Sequence, residues 1–180
     1  MTTEARILSA AADLLESGGV DALTTRAVCQ AAGVTAPTLY HHFGDKNGLL
    51  RALVAQGIGA FMTRKRANRQ TADPMDDLKR GWDGWIAFAL KRPKLFCLMI
   101  ESARSDPSQN EEAFNIVRAI VERLSSDGRL TTDVETATRT IWAASNGVHT
   151  LFLQGTPAAD VKTAAELLFD AVTAKLVRPK

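Results

Sequence analysis

The chain has 180 residues, of which 46% are hydrophobic and 23% are charged. This balance is typical of a soluble globular protein and excludes a disordered chain. Twenty-two Lys and Arg against 20 Asp and Glu leave a formal net charge of +2, which excludes a polybasic protein that binds nucleic acid through total charge alone. No apolar run reaches the ~20 residues of a membrane span, and the N-terminal pattern is not that of a signal peptide. We therefore expect a cytoplasmic protein with no membrane partner.

The first two predicted helices are amphipathic. Apolar residues recur at three- and four-residue spacing from Ile7 to Leu15, and Gly18-Gly19 ends this helix. A second helix begins after Thr24, whose side chain can cap the free N–H groups of the first turn. It ends at Gly33, a residue that tolerates the left-handed conformation of a tight turn.

A short third helix and a longer fourth helix follow. Thr35 is a candidate cap for the third helix, which runs from Ala36 to about His42 or Phe43. Asp45 can cap the fourth helix. Gly57 and Gly59 each cost about 1 kcal/mol relative to Ala inside a helix, so we expect close packing or a bend there.

A basic stretch over residues 64–69 interrupts the apolar pattern and indicates a junction, more typical of a solvated segment than of a DNA clamp. Further helices are predicted to start at Asp73-Pro74, after Arg92-Pro93, at the capping-box patterns 108–111 and 132–135, and at Thr156-Pro157. Strand alternation is absent. The predicted fold class is all-α, with about nine helices.

Residues 24–48 have the pattern of a helix-turn-helix. Val28, Ala32, Val34 and Leu39 can pack its two helices together. The outer face of the second helix then presents small, hydroxyl-bearing and aromatic side chains, which let a helix seat closely in a major groove. These residues are Ala36, Pro37, Thr38, Tyr40, His41 and His42.

This pattern resembles the TetR family of bacterial transcriptional regulators. The resemblance rests on Leu-Thr-Thr-Arg-Ala-Val at 23–28, Ala-Gly-Val-Thr at 32–35, Thr-Leu-Tyr-His-His-Phe at 38–43, Lys46 and Leu49-Leu50. It is close over about residues 5–55, and the apolar helix-Pro-helix segment 88–99 also resembles that family. The resemblance implies a three-helix DNA-binding domain over residues 1–48 and a helical effector-binding and dimerisation domain over 49–180.

The resemblance also implies which residues contact DNA. Thr25 and Arg26 match positions that touch phosphate and the groove edge, and Lys46 matches a phosphate contact at a helix N-terminus. Gly48 departs from the family pattern, in which an acidic residue is common at that position. The full predicted DNA-binding set is Thr25, Arg26, Thr35, Ala36, Pro37, Thr38, Tyr40, His41, His42 and Lys46.

Several of these residues have a purely structural alternative. Tyr40 and Phe43 could close the core of the small domain, and Arg26 could be a solvated surface charge. His41 and His42 are adjacent, so their side chains point about 100° apart on a helix and do not make a metal site. No metal site is predicted.

Aromatic and methionine side chains suggest an effector pocket between the later helices, because small-molecule sites favour apolar walls with a few polar groups. Ordinary core packing is the alternative for each of these aromatics, and a core or interface histidine is the alternative for His149. The predicted effector-binding set is Phe61, Trp82, Trp85, Phe88, Phe96, Met99, Trp142, Asn146 and His149.

The last two helices carry broad apolar faces, and the resemblance implies that they form a four-helix dimer interface. A dimer also makes physical sense, because two recognition helices add their affinities on a palindromic site. The predicted interface residues are Ala143, Gly147, Leu151, Leu167, Leu168 and Val172.

The sequence thus predicts a homodimeric regulator of double-stranded operator DNA that is released by a small, largely apolar effector; its assignment as a repressor follows family habit. An all-helical ligand-binding or interaction module without DNA function is the alternative. No Ser-His-Asp, paired-carboxylate, phosphate-cradle or metal constellation is present, so we expect neither an enzyme nor a cofactor. Cys29 and Cys97 are expected to be free thiols.

Overall fold

The computed structural model describes residues 1–67 and 69–179. These residues form nine α-helices and no strand, which confirms the predicted all-α class. The helices are α1 Thr3–Gly18, α2 Thr25–Ala32, α3 Ala36–Phe43, α4 Lys46–Ala67, α5 Pro74–Lys91, α6 Pro93–Ser105, α7 Glu111–Ser126, α8 Val134–Leu153 and α9 Ala158–Leu176. Short 3₁₀ helices occupy Val20–Ala22 and Pro107–Asn110.

The chain divides into two compact units. The first comprises Met1–Phe61 and Arg92–Ser102, and the second comprises Met62–Lys91 and Ala103–Lys180. Both α4 and α6 therefore contribute to each unit. The predicted boundary between residues 48 and 49 falls inside α4, and as a division of function it stays a prediction.

The first unit is built on α1 and α2, which pack against each other, with α3 against α2. Ile7, Leu15, Val28 and Leu39 are buried between these helices, as the periodicity predicts, because burial of such side chains is the main stabilising contribution. Gly33 has φ +62° after α2, so this turn needs the left-handed conformation that glycine adopts without strain.

The two glycines inside α4 differ in their surroundings. A Cβ on Gly57 would lie 2.8 Å from Met99 Sδ and 3.3 Å from Leu95 Cδ2, which confirms the close packing predicted there. Gly59 is exposed, and a Cβ added there would meet no atom within 4 Å. The prediction of close packing at Gly59 is therefore wrong.

The basic stretch is largely helical rather than a break in the chain. α4 continues through Ala67, and Arg66 pairs with Glu112 on α7 at 2.5 Å within the second unit. Asn68 lies outside the described residues. The predicted junction began at residue 64, which is wrong, because residues 64–67 still belong to α4. An exposed last turn can stay helical without apolar residues when the preceding turns and an ion pair support it.

Three of the predicted capping residues, Thr35, Ser108 and Thr132, act differently in the structure. Thr35 occupies the cap position of α3, but its hydroxyl makes its hydrogen bond with the Thr38 hydroxyl instead of a backbone N–H. Ser108 does not cap α7; Asp106 accepts from the Ser108 N–H and hydroxyl and starts a 3₁₀ helix. In the second predicted pattern the cap is Asp133, which accepts from the Thr136 N–H at 2.9 Å.

The second unit contains α5, α7, α8 and α9. α7 lies between α5 and α8, and α9 packs on both α8 and α5. Thr138 and Thr173 are buried in this unit, and each hydroxyl donates to a carbonyl of its own helix, at Val134 and Phe169. The apolar core of this unit comprises Leu78, Trp82, Ile86, Val121, Leu124, Ala137, Ile141, Val148, Val161, Ala165, Phe169, Leu176 and Val177.

A polar network fixes the start of α5 within this unit. The Asp77 carboxylate, 8% exposed, accepts from Arg123 at 2.5 Å, from Arg80 at 2.6 Å and from the Thr71 N–H at 3.0 Å. Burial raises the pKa of Asp77, but the hydrogen bonds from Arg123 and Thr71 and the charge of Arg123 outweigh burial, so the pKa lies below its usual value. The carboxylate is therefore charged and engaged at neutral pH.

No helix among the described residues is both long enough and apolar enough to span a bilayer.

Candidate nucleic-acid interface and effector site

The outer face of α3 is exposed in the first unit, as its sequence predicts. Pro37, His41 and His42 are exposed, and Tyr40 is 46% exposed although it is aromatic. The Tyr40 hydroxyl lies 3.0 Å from the Thr25 hydroxyl in the first turn of α2, a pairing the sequence did not predict. This bond fixes the phenol on the surface, so the alternative in which Tyr40 closes the core is not what the structure shows.

The beginning of α3 presents a second pair of hydroxyls. Thr35 Oγ1 and Thr38 Oγ1 are 3.0 Å apart. Pro37 lies in the first turn of α3, where backbone N–H groups have no partner within the helix, so its missing N–H costs no hydrogen bond. A hydroxyl can donate to a phosphate oxygen, and it can donate to or accept from the groups on a base edge. The N-terminal half of α3 therefore offers short, adaptable polar groups with little side-chain bulk.

The turn between α3 and α4 shows why position 48 is glycine. Asp45 caps α4 by accepting from the Gly48 N–H at 2.6 Å, as predicted for Asp45. A Cβ at residue 48 would lie only 1.8 Å from the Phe43 carbonyl oxygen. Any side chain there would force the turn to open. Lys46 is exposed in the first turn of the helix that this cap begins.

Three acidic side chains of the first unit have partners within that unit. Glu16 accepts from the N–H groups of Lys94 and Leu95, Asp13 pairs with Arg92 at 3.7 Å, and Asp45 caps α4. Arg26 and Lys46 are exposed. Two cations of the first unit, one on α2 and one in the first turn of α4, are therefore accessible to solvent.

The two adjacent histidines of α3 contact each other edge to face, with ring centroids 5.5 Å apart. No group of three or more His, Cys, Asp or Glu among the described residues has the geometry to hold a metal ion.

The predicted effector-binding residues are divided between the two units. Phe61, Phe96 and Met99 belong to the first unit, where Phe96 is 1% exposed and Met99 is buried. The other six belong to the second unit: Trp82, Trp85, Phe88, Trp142, Asn146 and His149.

Three aromatic side chains meet between α5 and α8 of the second unit. The Trp85 indole N–H donates a hydrogen bond to Nε2 of His149, and the two rings lie edge to face with centroids 5.0 Å apart. Phe88 stacks parallel to Trp85 at 6.2 Å. Burial lowers the pKa of His149 to about 4, so its ring is neutral at pH 7. Because Nε2 accepts, the neutral ring carries its proton on Nδ1.

Trp82 and Trp142 have different surroundings from this pair. Trp82 is 7% exposed, and its ring packs on Phe169 of α9 at 5.4 Å; its indole N–H has no hydrogen-bond partner in the structure. Trp142 packs edge to face on Phe114 of α7 at 5.5 Å. Asn146 is exposed. Trp82 thus combines the packing of a core residue with an unsatisfied donor, a feature no sequence pattern reports.

A recess of about 570 Å³ in the second unit contains none of the predicted effector residues. Its lining is polar and it opens widely to solvent, unlike the mostly apolar, enclosed sites that small molecules favour. We therefore do not regard it as the effector site. It is lined by Ala72, Asp127, Gly128, Arg129, Arg178 and Pro179.

The predicted dimer residues fall into two groups. Ala143 and Gly147 on α8 are exposed, and Leu167 on α9 is 66% exposed. The others pack partly against the core of their own unit: Leu151, Leu168 and Val172.

Two family models match separate parts of the chain. Residues 7–53 match the model described as bacterial regulatory proteins, tetR family, and residues 78–176 match the model described as tetracyclin repressor-like, C-terminal domain. The second match alone covers more than half of the chain. The protein belongs to the TetR family of DNA-binding transcriptional regulators.

Individual relatives agree with this assignment. The chain is 51% identical over 90 residues to the tetracycline repressor protein class A from transposon 1721 of Escherichia coli. The aligned stretch covers 50% of this chain and 36% of the relative. The chain spans about a third of the length of the curated relatives it matches.

Two solved structures share the fold over nearly the whole chain. A TetR transcription regulator from Haloarcula marismortui ATCC 43049 aligns with TM-score 0.84 and 18% identity, over 98% of each chain. A putative transcriptional regulator from Saccharomonospora viridis in complex with choline aligns with TM-score 0.83 and 16% identity, again over 98% of each chain. At such identities the likeness concerns the fold.

Proposed function

We propose that the protein is a homodimeric, ligand-responsive repressor that binds a palindromic operator through α3 and is released by a small, largely apolar effector. The observation that carries this proposal is the exposed face of α3, on which Tyr40 is held at the surface by Thr25. Membership of a family of transcriptional regulators supports it. The alternative, a helical binding module without DNA function, leaves this exposed aromatic and its flanking cations unexplained.

The proposed contacts fall into two kinds. Thr25, Tyr40 and Lys46 contact phosphates and set the position of the protein on the duplex. Residues near the start of α3 meet base edges in the major groove, where hydroxyls and small side chains read donors, acceptors and the thymine methyl group. The proposed reading set is Thr35, Ala36, Pro37, Thr38, His41 and His42, with Arg26 at the groove edge.

The dimer is proposed from the surface of α8 and α9. Leu167 is a large apolar side chain that is two-thirds exposed, and exposed apolar surface beside small residues such as Ala143 and Gly147 favours close helix approach. Leu167→Glu should shift the sedimentation coefficient from dimer to monomer. The matched control Val20→Glu, in the first unit, changes an exposed apolar side chain outside the proposed interface and should leave the dimer intact.

A salt titration tests DNA binding. Fluorescence anisotropy with a palindromic fragment from the promoter region of its own gene should give an affinity that falls as salt rises, because phosphate contacts release counterions. Lys46→Ala should lower the slope of log K against log salt by about two for a dimer, since each subunit loses one contact. Lys175→Ala, an exposed lysine of α9, is the matched control and should leave the slope unchanged. Affinity that is independent of salt, or equal for random DNA, would exclude the proposal.

A further inference from the structure

Two hydroxyl groups from different helices meet at the surface of the first unit. Thr25 Oγ1 on α2 and Tyr40 Oη on α3 are 3.0 Å apart, although the two residues are 15 positions apart in the chain. Tyr40 is 46% exposed, and Thr25 is half-buried. An exposed phenol without a partner exchanges between rotamers, so this bond gives the Tyr40 hydroxyl a defined position.

The place of Thr25 in α2 explains why its hydroxyl is available to Tyr40. Inside a helix, a threonine hydroxyl commonly donates to the carbonyl four residues back. The threonines of α8 and α9 that make this bond are Thr138, Thr140, Thr150, Thr163 and Thr173. Thr25 is the first residue of α2, so the carbonyl four residues back, at Asp21, lies outside that helix. The Thr25 hydroxyl bonds across to α3 instead.

The direction of this bond decides which hydroxyl stays free to donate, because each of the two groups has a single hydrogen. When Thr25 donates to Tyr40, the phenol O–H is left for a further acceptor. A phenol O–H is more acidic than an aliphatic O–H and is the stronger donor to an anion. Tyr40 is also the longer and the more exposed of the two side chains. A phosphate oxygen, which only accepts, therefore favours the order Thr25 to Tyr40 to phosphate, in which each bond polarises the next.

We propose that Thr25 is a positioning residue for DNA binding: its hydroxyl donates to Tyr40 Oη and thereby directs the phenol O–H at one DNA phosphate. This refines the contact proposed for Thr25, because its hydroxyl acts on that phosphate through Tyr40 and is not a second, independent contact. Holding the phenol in its bound orientation reduces the entropy that is lost when DNA binds. The inference rests on the proposed function only in placing a phosphate at Tyr40.

A double-mutant cycle on DNA affinity tests this order. Fluorescence anisotropy of the full chain is measured with the palindromic fragment from the promoter region of its own gene and with a random duplex of equal length. Tyr40→Phe should weaken binding by about a hundredfold in a dimer, because each subunit loses a hydrogen bond to a charged group. Thr25→Val should weaken it by about tenfold, because the phenol loses only its orientation.

The combination of the two substitutions carries the test. In the Tyr40→Phe background, Thr25→Val should cost less than about a further twofold, because no phenol O–H remains to be positioned. Thr25→Ser keeps the hydroxyl and should stay within about twofold of the wild type. Both Thr25→Val and Tyr40→Phe are nearly isosteric and lie at the surface, so the variants should fold, which circular dichroism checks.

Thr35 on the same interface provides the matched control. Its hydroxyl bonds to the Thr38 hydroxyl, 3.0 Å away. The losses caused by Thr35→Val and Tyr40→Phe should therefore multiply, as they do for substitutions at separate contacts. Thr25→Val removes no cation, so the slope of log K against log salt should stay at the wild-type value.

Methylphosphonate substitution in the palindromic fragment locates the phosphate. Replacing a charged phosphate oxygen with a methyl group should weaken wild-type binding at the phosphate that Tyr40 contacts. Tyr40→Phe should abolish this loss, and Thr25→Val should reduce it at the same phosphate. A bond that only ties α2 to α3 would instead give equal losses of affinity for the two variants and leave the methylphosphonate pattern unchanged.

Two results would overturn the inference: losses that multiply for Thr25→Val and Tyr40→Phe, or equal losses with an unchanged methylphosphonate pattern. The cycle should also appear on the random duplex, because phosphate contacts do not depend on sequence. Equal affinity for the palindromic and the random duplex, with the cycle intact on both, would overturn the proposed function alone.

Discussion

Glu16 on α1 accepts a hydrogen bond from the backbone N–H of Leu95, at 2.9 Å, in the first turn of α6. The same carboxylate also accepts from the Lys94 N–H at 3.3 Å. The first turn of α6 has no acidic residue of its own. Glu16 therefore supplies, from a distant part of the chain, the anionic cap that a helix N-terminus favours.

Removing this cap should destabilise the first unit. Glu16→Ala leaves two N–H groups without their acceptor and should lower the free energy of unfolding by about 1–2 kcal/mol. Urea denaturation followed by far-ultraviolet circular dichroism measures the loss, and the Leu95 amide should exchange faster with solvent. Asp13→Ala, three residues earlier on α1, is the control: its pair with Arg92 spans 3.7 Å and is exposed, so the change should stay below about 0.5 kcal/mol. Equal effects of the two substitutions would contradict this assignment.

Two glycines of α4 should respond to alanine in opposite directions. Gly48→Ala places a Cβ against the Phe43 carbonyl, so it should lower the melting temperature despite the better helix propensity of alanine. Gly59→Ala adds a methyl group to open space and should stabilise the protein by up to about 1 kcal/mol. Differential scanning calorimetry of both variants checks the signs. A stabilised Gly48→Ala would show that the turn between α3 and α4 is looser than described.

Much of the fold could be predicted because its determinants are local. The bounds of α2 and α3 follow from Thr24, Gly33 and Pro37, which act within one turn of themselves. The Glu16 cap and the bond between Asp77 and Arg123 could not be predicted, because the two partners of each are 79 and 46 residues apart in the chain. The orphan donor of Trp82 depends on packing around one atom, whereas periodicity reports only that the residue is buried.

The sequence predicts which residues of α3 are exposed in the candidate nucleic-acid interface, but not which side chains hydrogen-bond to each other there. Spacing places Tyr40 on the outer face of α3, but the hydroxyl pairs Thr25–Tyr40 and Thr35–Thr38 depend on how the side chains turn. Capping rules failed at Thr35 because another hydroxyl competed for the same side chain. The effector-binding set was chosen by residue type alone, which does not distinguish the buried Phe96 from the half-buried Trp85.

Asp77 should be much more important for stability than a surface carboxylate on the same helix. Asp77→Ala strands Arg123 and Arg80 and frees the Thr71 N–H, so it should destabilise the second unit by about 2–3 kcal/mol. Tryptophan fluorescence follows this unit, because Trp82, Trp85 and Trp142 all belong to it. Asp83→Ala breaks the exposed pair with Lys79 and should cost less than about 0.5 kcal/mol. A loss at Asp77 no larger than at Asp83 would show that the network contributes little.

His149 should make stability depend on pH. Its pKa falls from 6.5 to about 4 on folding, so the unfolded chain binds more protons between these values. The stabilisation is fully present above pH 6.5 and is lost as pH falls toward 4, at up to about 1.4 kcal/mol per pH unit. Urea denaturation at pH 7.5 and pH 5 measures this loss. His149→Gln keeps an acceptor for Trp85 without titrating, and it should lose distinctly less stability over that interval. Equal losses in the two proteins would exclude His149 as the cause.

Operator recognition by paired α3 helices is the central claim, and hydroxyl-radical footprinting on the promoter region of its own gene tests it most directly. A two-fold symmetric dimer should protect two half-sites of an inverted repeat whose centres lie about 10 base pairs, or a multiple of that, apart. Tyr40→Ala combined with Lys46→Ala should remove this protection while the dimer stays folded. Protection that lacks two-fold symmetry, or that survives both substitutions, would contradict the account.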